Sequence, residues 1–162
     1  MIDPSRLLHY FVAMSNFTVS ERQQQIVSEF KDFKTWEEKY KYIIRLGKEL
    51  PEMPESDKRE DLKVKGCQSQ VWLKADLNDQ MQVVFQADSD ALIVKGLIAL
   101  LLRVFSEQTP ESILQSDVKF IEDIGLTSHL SASRTNGLQS MIKQIKYYAQ
   151  AYDYLVKTTK GQ

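Results

Sequence analysis

The chain has 162 residues, which is enough for one domain with a substantial hydrophobic core. Its 43% hydrophobic and 27% charged residues are typical of a soluble globular protein, and a formal net charge of −1 favours neither nucleic acid nor an anionic membrane as a partner. The only cysteine, Cys67, excludes an internal disulfide and a multi-cysteine metal centre.

The first segment of the chain, residues 1–19, reads as an extension without clear periodicity, and Met14 within it is a candidate for the true start. The apolar run 7–14 is preceded by a single cation, Arg6, and by an acid, Asp3, whereas a secretory signal needs a cationic start and a longer apolar stretch. The longest apolar run, 91–102, is too short to span a bilayer. We therefore expect neither a cleaved signal nor a membrane span, and a cytoplasmic protein.

Two amphipathic helices are predicted next, each with a capping box. The first opens at Ser20 with Gln23 three residues later, and its apolar stripe is Ile26, Val27, Phe30 and Phe33. The second opens at Thr35 with Glu38, and its stripe is Trp36, Tyr40, Ile43 and Ile44. Because prolines follow soon after, this helix cannot continue far beyond Pro51, and the two helices form a hairpin.

The period then changes from that of a helix to that of strands. Residues 55–61 are charged and read as a solvated loop. The segments 70–75 and 81–86 are rich in residues that favour strands, with turn residues at 78–79 between them. The pattern predicts a short antiparallel meander with Cys67 at or beside its first bend.

The rest of the chain is predicted to be helical. Residues 88–90 offer several N-caps for a helix that runs to about Phe105 and is apolar nearly all round, as expected of a buried central helix. Thr109 followed by Pro110 opens a short helix. The last helix begins near Ser133, and its stripe is Leu138, Met141, Ile142, Ile145, Ala149, Tyr152 and Leu155.

The order of helices, strands and helices predicts an α+β fold, in which helices cover a small antiparallel β-sheet. We see no internal repeat and no linker that would separate two domains. The predicted organisation is an extension at 1–19, a single domain at 20–157 and a C-terminal tail at 158–162.

Cys67 is the residue whose surroundings suggest chemistry. Gly66 precedes it, Gln68 and Ser69 follow it, and two lysines lie just upstream. A glycine permits an unusual backbone conformation at a loop tip, the polar side chains could hydrogen-bond a sulfur anion, and lysines lower the pKa of a thiol. Spacing alone leaves two interpretations open, a reactive thiol and a small buried hydrophobe.

Two other kinds of site would need a partner for Cys67. A zinc site would combine it with His129 and a carboxylate, and a cysteine hydrolase would use His129 as a base. The other histidine, His9, lies in the extension. No paired ligand spacing, phosphate-binding glycine loop or serine-nucleophile motif is present in the sequence. We therefore predict no metal site.

Four segments, in order, resemble the SufE family of sulfur-acceptor proteins, which includes CsdE. The cysteine segment is Val64-Lys65-Gly66-Cys67-Gln68-Ser69-Gln70-Val71-Trp72-Leu73, and the others lie at 36–51, 88–99 and 129–138. The resemblance covers about residues 25–150. It implies a SufE/IscU-like α+β fold that lacks the cluster ligands of the IscU scaffold proteins.

The resemblance also implies a function. Family members take persulfide sulfur from a pyridoxal-phosphate cysteine desulfurase of the SufS or CsdA type, stimulate it, and relay sulfur to an iron–sulfur scaffold. Cys67 matches the covalent sulfur site, so the chain is expected to be a carrier rather than a stand-alone enzyme, with no cofactor of its own. Arg134 is a candidate for contacting the partner or steadying the cysteine loop, with a surface ion pair as the alternative. The rivals to a carrier are a desulfurase adaptor in which Cys67 is dispensable and a metal-binding scaffold that uses Cys67 and His129.

Overall fold

In the computed structural model, which describes residues 16–161, seven α-helices pack around one antiparallel pair of strands. The predicted α+β class is confirmed. The helices are α1 (Val19–Lys31), α2 (Trp36–Glu49), α3 (Leu92–Phe105), α4 (Pro110–Gln115), α5 (Phe120–Asp123), α6 (Leu126–His129) and α7 (Ala132–Lys160), and the strands are β1 (Val71–Leu77) and β2 (Val83–Ser89). Two short 3-10 helices, Glu55–Asp57 and Glu60–Leu62, lie in the predicted loop before β1.

The first helix begins earlier than its sequence suggests. Its N-cap is Thr18, which forms a reciprocal capping box with Glu21, so the predicted start at Ser20 is wrong. Val19 is buried, and the helix must begin before it to bring it onto the core face. Gln23, the predicted capping partner, instead donates from its side chain to the Asp117 carbonyl at 2.8 Å.

The second helix is capped as predicted and packs closely on the central helix. Its capping box joins Thr35 to Glu38. A Cβ on Gly96 of α3 would lie 2.1 Å from the Ile43 carbonyl oxygen, so α2 and α3 approach each other at backbone distance. As expected of a central helix, α3 is buried along nearly its whole length, with only Leu92 well exposed.

Asp88 and Asp90 were predicted to cap α3, and this prediction is wrong. The N-cap of α3 is Ala91, which makes no side-chain hydrogen bond. Asp88 cannot cap this helix because it is part of β2, which continues to Ser89. Asp90 instead accepts a hydrogen bond from the Gln70 amide at 3.0 Å.

Asp88 is a buried polar hub that joins three segments. Only 2% exposed, it accepts hydrogen bonds from the amides of Met53 and Ser89 at 3.1 and 2.8 Å. Its carboxylate also pairs with Lys95 of α3 at 3.2 Å and Lys58 at 3.5 Å. Burial alone would raise the pKa of Asp88, but the amide hydrogen bonds and Lys95 outweigh it, so the pKa lies below its ordinary value.

The last helix covers the free edge of β1. Tyr148 and Tyr152 donate from their hydroxyl groups to the carbonyls of Leu73 and Ala75, at 3.1 and 2.9 Å. These carbonyls point away from β2, so the two tyrosines satisfy backbone acceptors that a bare edge would leave open. The tyrosines therefore fix the position of α7 along the sheet.

The start of α7 agrees with the prediction, but its end does not. The N-cap is Ser131, which accepts from the Arg134 amide, and the helix begins at Ala132, next to the predicted Ser133. It continues to Lys160, so residues 158–160, assigned to a tail, are helical. In the predicted stripe, Leu138 to Ala149 are buried, whereas Leu155 is exposed because the helix there has run past the core.

The Asp88 hub gives a stability prediction. Asp88→Asn keeps the shape but loses the charge, and we expect it to lower the free energy of unfolding at pH 7 by about 2 kcal/mol, the usual magnitude for hydrogen bonds to a charged group. Because the folded-state pKa is depressed, the stabilisation is present above the ordinary aspartate pKa and lost as pH falls through the folded value. Urea unfolding between pH 7 and pH 3 measures it.

The matched control is Asp90→Asn, which changes an exposed carboxylate with one amide partner. We expect it to change the unfolding free energy by less than about 1 kcal/mol. A difference between Asp88→Asn and the unchanged chain that stayed constant down to pH 3 would contradict the charge-based explanation.

Candidate functional site

The candidate site is a closed loop before β1 that carries the cysteine. The Val64 amide donates to the Val71 carbonyl at 2.8 Å, and Lys63 forms an isolated bridge with Trp72, so the chain between them turns back on itself. Gly66 has a φ of 90°, a conformation that side-chain-bearing residues rarely adopt. The backbone role predicted for this glycine is confirmed, and it directs Cys67 towards the helices.

The loop rests on α7. The Cys67 Sγ donates a hydrogen bond to the Gly137 carbonyl at 3.6 Å. One residue earlier, a Cβ on Gly66 would lie 2.7 Å from the Ser140 Oγ. Two consecutive residues of the loop therefore touch one turn of α7, about 70 residues later in the chain.

A pocket of about 160 Å³ opens beside the thiol. Its polar lining residues are Gln68, Ser69, Ser133 and Arg134, and its apolar ones are Val94, Leu97, Leu138 and Met141. The structure thus brings the predicted residues Cys67, Gln68, Ser69 and Arg134 around one cavity, while Gly66 shapes the loop from outside the lining.

The surroundings of the resting thiol keep it neutral. Partial burial raises the pKa of Cys67 above its ordinary value, so the expectation that the upstream lysines lower it is wrong. Lys63 pairs with Glu60 at 2.8 Å, and Lys65 is exposed. The hydrogen bond of the sulfur goes to a carbonyl acceptor on α7, rather than coming from Gln68 or Ser69, and such a bond requires the protonated thiol.

Arg134 lies at the mouth of the pocket. It is exposed, in the first turn of α7, where its amide donates to the Ser131 Oγ. Among residues 16–161, no carboxylate pairs with its guanidinium, so the ion-pair alternative finds no support there. This group is available to an anion or carboxylate that enters the pocket.

His129 does not take part in this pocket. It stacks on Trp36, with ring centroids 4.6 Å apart, and its Nδ1 lies 3.0 Å from the Gly125 carbonyl oxygen. Trp36 is accordingly only half-buried, whereas Trp72 is buried. Within the described range, no group of three or more histidine, cysteine or acidic side chains is arranged to hold a metal. His9 lies outside that range.

Sequence reasoning missed part of the site. Val94 and Leu97 were assigned to a buried helix, but they also form the pocket wall, and Gly137 was noted only within a family-like segment. A possible signal was the glycine itself, because glycine is unfavourable inside a helix unless something requires it.

Comparisons with known proteins agree on one family. The family model described as SufE, Fe-S metabolism associated domain, matches residues 24–149. An uncharacterized SufE-like protein of Rhizobium meliloti is 44% identical over 131 residues, which are 78% of this chain and 93% of the relative.

A solved structure supports the fold independently. The solution structure of a hypothetical protein from Thermus thermophilus superposes with a TM-score of 0.67 at 20% identity, covering 81% of this chain and 95% of that one. At that identity the likeness concerns the fold alone. None of the helices within residues 16–161 combines the length and apolar character needed to cross a membrane.

The raised pKa of Cys67 predicts slow reaction of the free protein with thiol reagents. Because the thiolate is the nucleophile, the alkylation rate with iodoacetamide should rise with pH around a midpoint above that of the same chain unfolded in urea. The measurement is the rate against pH, followed by intact mass. A folded-state midpoint at or below the unfolded one would contradict the sheltered, neutral thiol.

The loop geometry predicts the effect of a side chain on Gly66. Gly66→Ala should destabilise the fold by about 1–2 kcal/mol from backbone strain, and the contact with Ser140 should lift the loop and speed alkylation of Cys67 at pH 7. Urea unfolding and alkylation rates measure the two effects.

The double variant Gly66→Ala/Ser140→Ala separates the effect of backbone strain on stability from the effect of the Ser140 contact on alkylation. Removing the Ser140 hydroxyl should relieve the contact and restore slow alkylation while the strain remains. Equal alkylation rates in the single and double variants would show that this contact does not seat the loop.

Proposed function

Because this chain belongs to the SufE family, whose domain is associated with Fe–S metabolism, we propose that it accepts sulfur on Cys67 from a cysteine desulfurase and relays it towards iron–sulfur cluster assembly. The observation that carries the proposal is the position of the only cysteine in a closed loop, beside a pocket lined by both polar and apolar side chains.

The proposed reaction is a sulfur transfer between two cysteines. The Cys67 thiol gives up its proton, and the thiolate attacks the terminal sulfur of a persulfide on the desulfurase. An S–S bond forms on Cys67 while the S–S bond of the desulfurase persulfide breaks, and the desulfurase cysteine leaves as a thiolate with the electron pair. The sulfur is transferred from the desulfurase cysteine to Cys67 without an external oxidant or reductant, and a third thiol later accepts it from Cys67.

Several features of the chain support a carrier over a stand-alone catalyst. Cleavage of the carbon–sulfur bond of L-cysteine needs an electron sink, which the pyridoxal phosphate of the partner supplies. A single cysteine suits a carrier, because a second thiol nearby could discharge the persulfide as sulfide before delivery. Among residues 16–161, the lining of the pocket beside Cys67 contains no histidine to act as the base of a cysteine hydrolase.

The resting geometry indicates when transfer takes place. The neutral thiol, hydrogen-bonded to a backbone carbonyl, is a poor nucleophile, so the free protein is protected from oxidants and stray disulfides. We infer that docking on the desulfurase replaces this environment with one that favours the thiolate and so stimulates the turnover of the partner. Arg134 and the polar groups of Gln68 and Ser69 are then placed to stabilise a sulfur anion or to contact the partner.

The test is the intact mass of the protein after incubation with a purified cysteine desulfurase and L-cysteine. We expect the mass of one added sulfur atom on the unchanged chain, lost again on treatment with a reductant. Cys67→Ser, which replaces the thiol with a hydroxyl of similar size, should gain no sulfur.

A second readout separates the carrier from the adaptor. Desulfurase turnover is measured with each form of the chain. An adaptor would stimulate turnover equally with Cys67→Ser, whereas a carrier would lose the stimulation that depends on removal of sulfur. Failure of the unchanged chain to gain sulfur from desulfurases of both the SufS and the CsdA type would refute the proposal.

A further inference from the structure

Gly137 is a glycine that the resting structure does not require. It lies in the second turn of α7 and is buried, and it is not among the residues with positive φ. A glycine inside a helix is unfavourable relative to alanine, because it has more conformational freedom to lose on folding. A glycine at this position is therefore expected to have a structural or functional role.

The other two glycines within helices, Gly47 and Gly96, lie where two helices pack at backbone distance. A Cβ on Gly47 would lie 2.7 Å from backbone atoms of α3, and one on Gly96 would lie 2.1 Å from a backbone oxygen of α2. Contacts this short cannot be accommodated without moving a helix. These two glycines are therefore explained by the packing of the folded chain.

Among residues 16–161, no such contact exists at Gly137. The nearest atoms to a Cβ there would be Sγ and Cβ of Cys67, at 3.5 and 3.9 Å, which are ordinary van der Waals distances. An alanine would fit against the resting thiol and would stabilise the helix. Packing in the resting state therefore gives no use for the space beside Gly137, and the neighbour of that space is the sulfur of Cys67.

We propose that Gly137 is a positioning residue that leaves room for the transferred sulfur atom, so that the persulfide of Cys67 lies against the bare backbone of α7. This inference rests on the proposed function, since the added atom is the sulfur taken from a persulfide donor. Gly137 lines the same pocket as Cys67, so the space beside the thiol is continuous with that cavity. The pocket's apolar wall, including Leu97 and Met141, shelters the sulfur from water and reductants there.

The step that fills this space is a sulfur transfer that needs no external oxidant or reductant. The Cys67 thiolate attacks a sulfane sulfur of the donor, one S–S bond forms and one breaks, and the remaining donor leaves as an anion with the electron pair. A methyl group at Gly137 would compete with the incoming sulfur for the same volume. It would thus oppose the loaded state while leaving the resting state intact.

The experiment compares Gly137→Ala with the unchanged chain and with Asn136→Ala, an exposed position on the same turn of α7. Each protein is loaded by a desulfurase with L-cysteine and, separately, by inorganic polysulfide, and added sulfur is followed by intact mass. We expect Gly137→Ala to load at least about tenfold more slowly with both donors, as overpacking of the loaded state requires. Any sulfur that it does accept should be removed by dithiothreitol about tenfold faster, because it is no longer sheltered.

Thermal unfolding supplies the readout that a merely structural role would not produce. Gly137→Ala should raise the Tm of the unloaded protein by about 2 °C through helix propensity. A lower Tm would show that the resting structure needs the glycine and would overturn the inference. If Gly137→Ala does not fold, the inference is likewise wrong, because it holds that alanine fits the resting state.

The remaining outcomes separate this inference from the proposed function. Loading and reduction of Gly137→Ala at the rates of the unchanged chain would overturn the role of Gly137 and leave the carrier function standing. Failure of the unchanged chain to load from desulfurases would refute the proposed function, while polysulfide loading would still decide whether Gly137 makes room for sulfur. Gly137→Ser, slightly larger than alanine, should load no faster than Gly137→Ala, and faster loading would contradict a steric cause.

Discussion

The contact between the cysteine loop and one turn of α7 is the constraint on which the site depends. Gly66 and Cys67 touch Ser140 and Gly137, across some 70 residues of chain. This contact holds only because α7 is fixed elsewhere, by two tyrosine hydroxyls on the edge of β1 and by Lys146, whose ammonium group hydrogen-bonds carbonyls at the end of α4. The geometry around the thiol is therefore a property of the whole packing, and the loop alone does not define it.

The proposed carrier function would place two opposing requirements on Cys67, one between encounters with the partner and one during transfer. Between encounters the sulfur must be inert, which a half-buried thiol bonded to a carbonyl achieves, since burial and an acceptor partner both favour the protonated form. During transfer it must be a thiolate. Burial, and not the upstream lysines, sets the pKa of the resting thiol, so under the proposed function the change to a thiolate would have to come from docking on the partner.

Asp88 and its hydrogen-bond and ion-pair partners form a polar network behind the site. Asp88 links the end of β2 to α3 through its ion pair with Lys95, and to the segment after α2 through its hydrogen bond with the Met53 amide. Since Val94 and Leu97 on α3 line the pocket, the hub helps to hold the pocket wall in register with the strand hairpin that follows the cysteine loop. A buried carboxylate with several hydrogen-bond and ion-pair partners holds its neighbours rigidly as long as it is charged, so the hub helps to keep the shape of the pocket constant.

Much of this protein is determined by local sequence. The capping box at Thr35, the buried character of α3, the α+β class and the unusual backbone at Gly66 all follow from signals within a few residues, because periodicity, caps and glycine conformations are short-range effects. The site residues around Cys67 were likewise indicated by their neighbours in the chain. Only the tertiary structure decided that Asp88 is a hub rather than a helix cap, that the thiol pKa is raised rather than lowered, and that Gly137 faces the sulfur. These properties depend on burial and on contacts between residues far apart in sequence, and no local pattern encodes them.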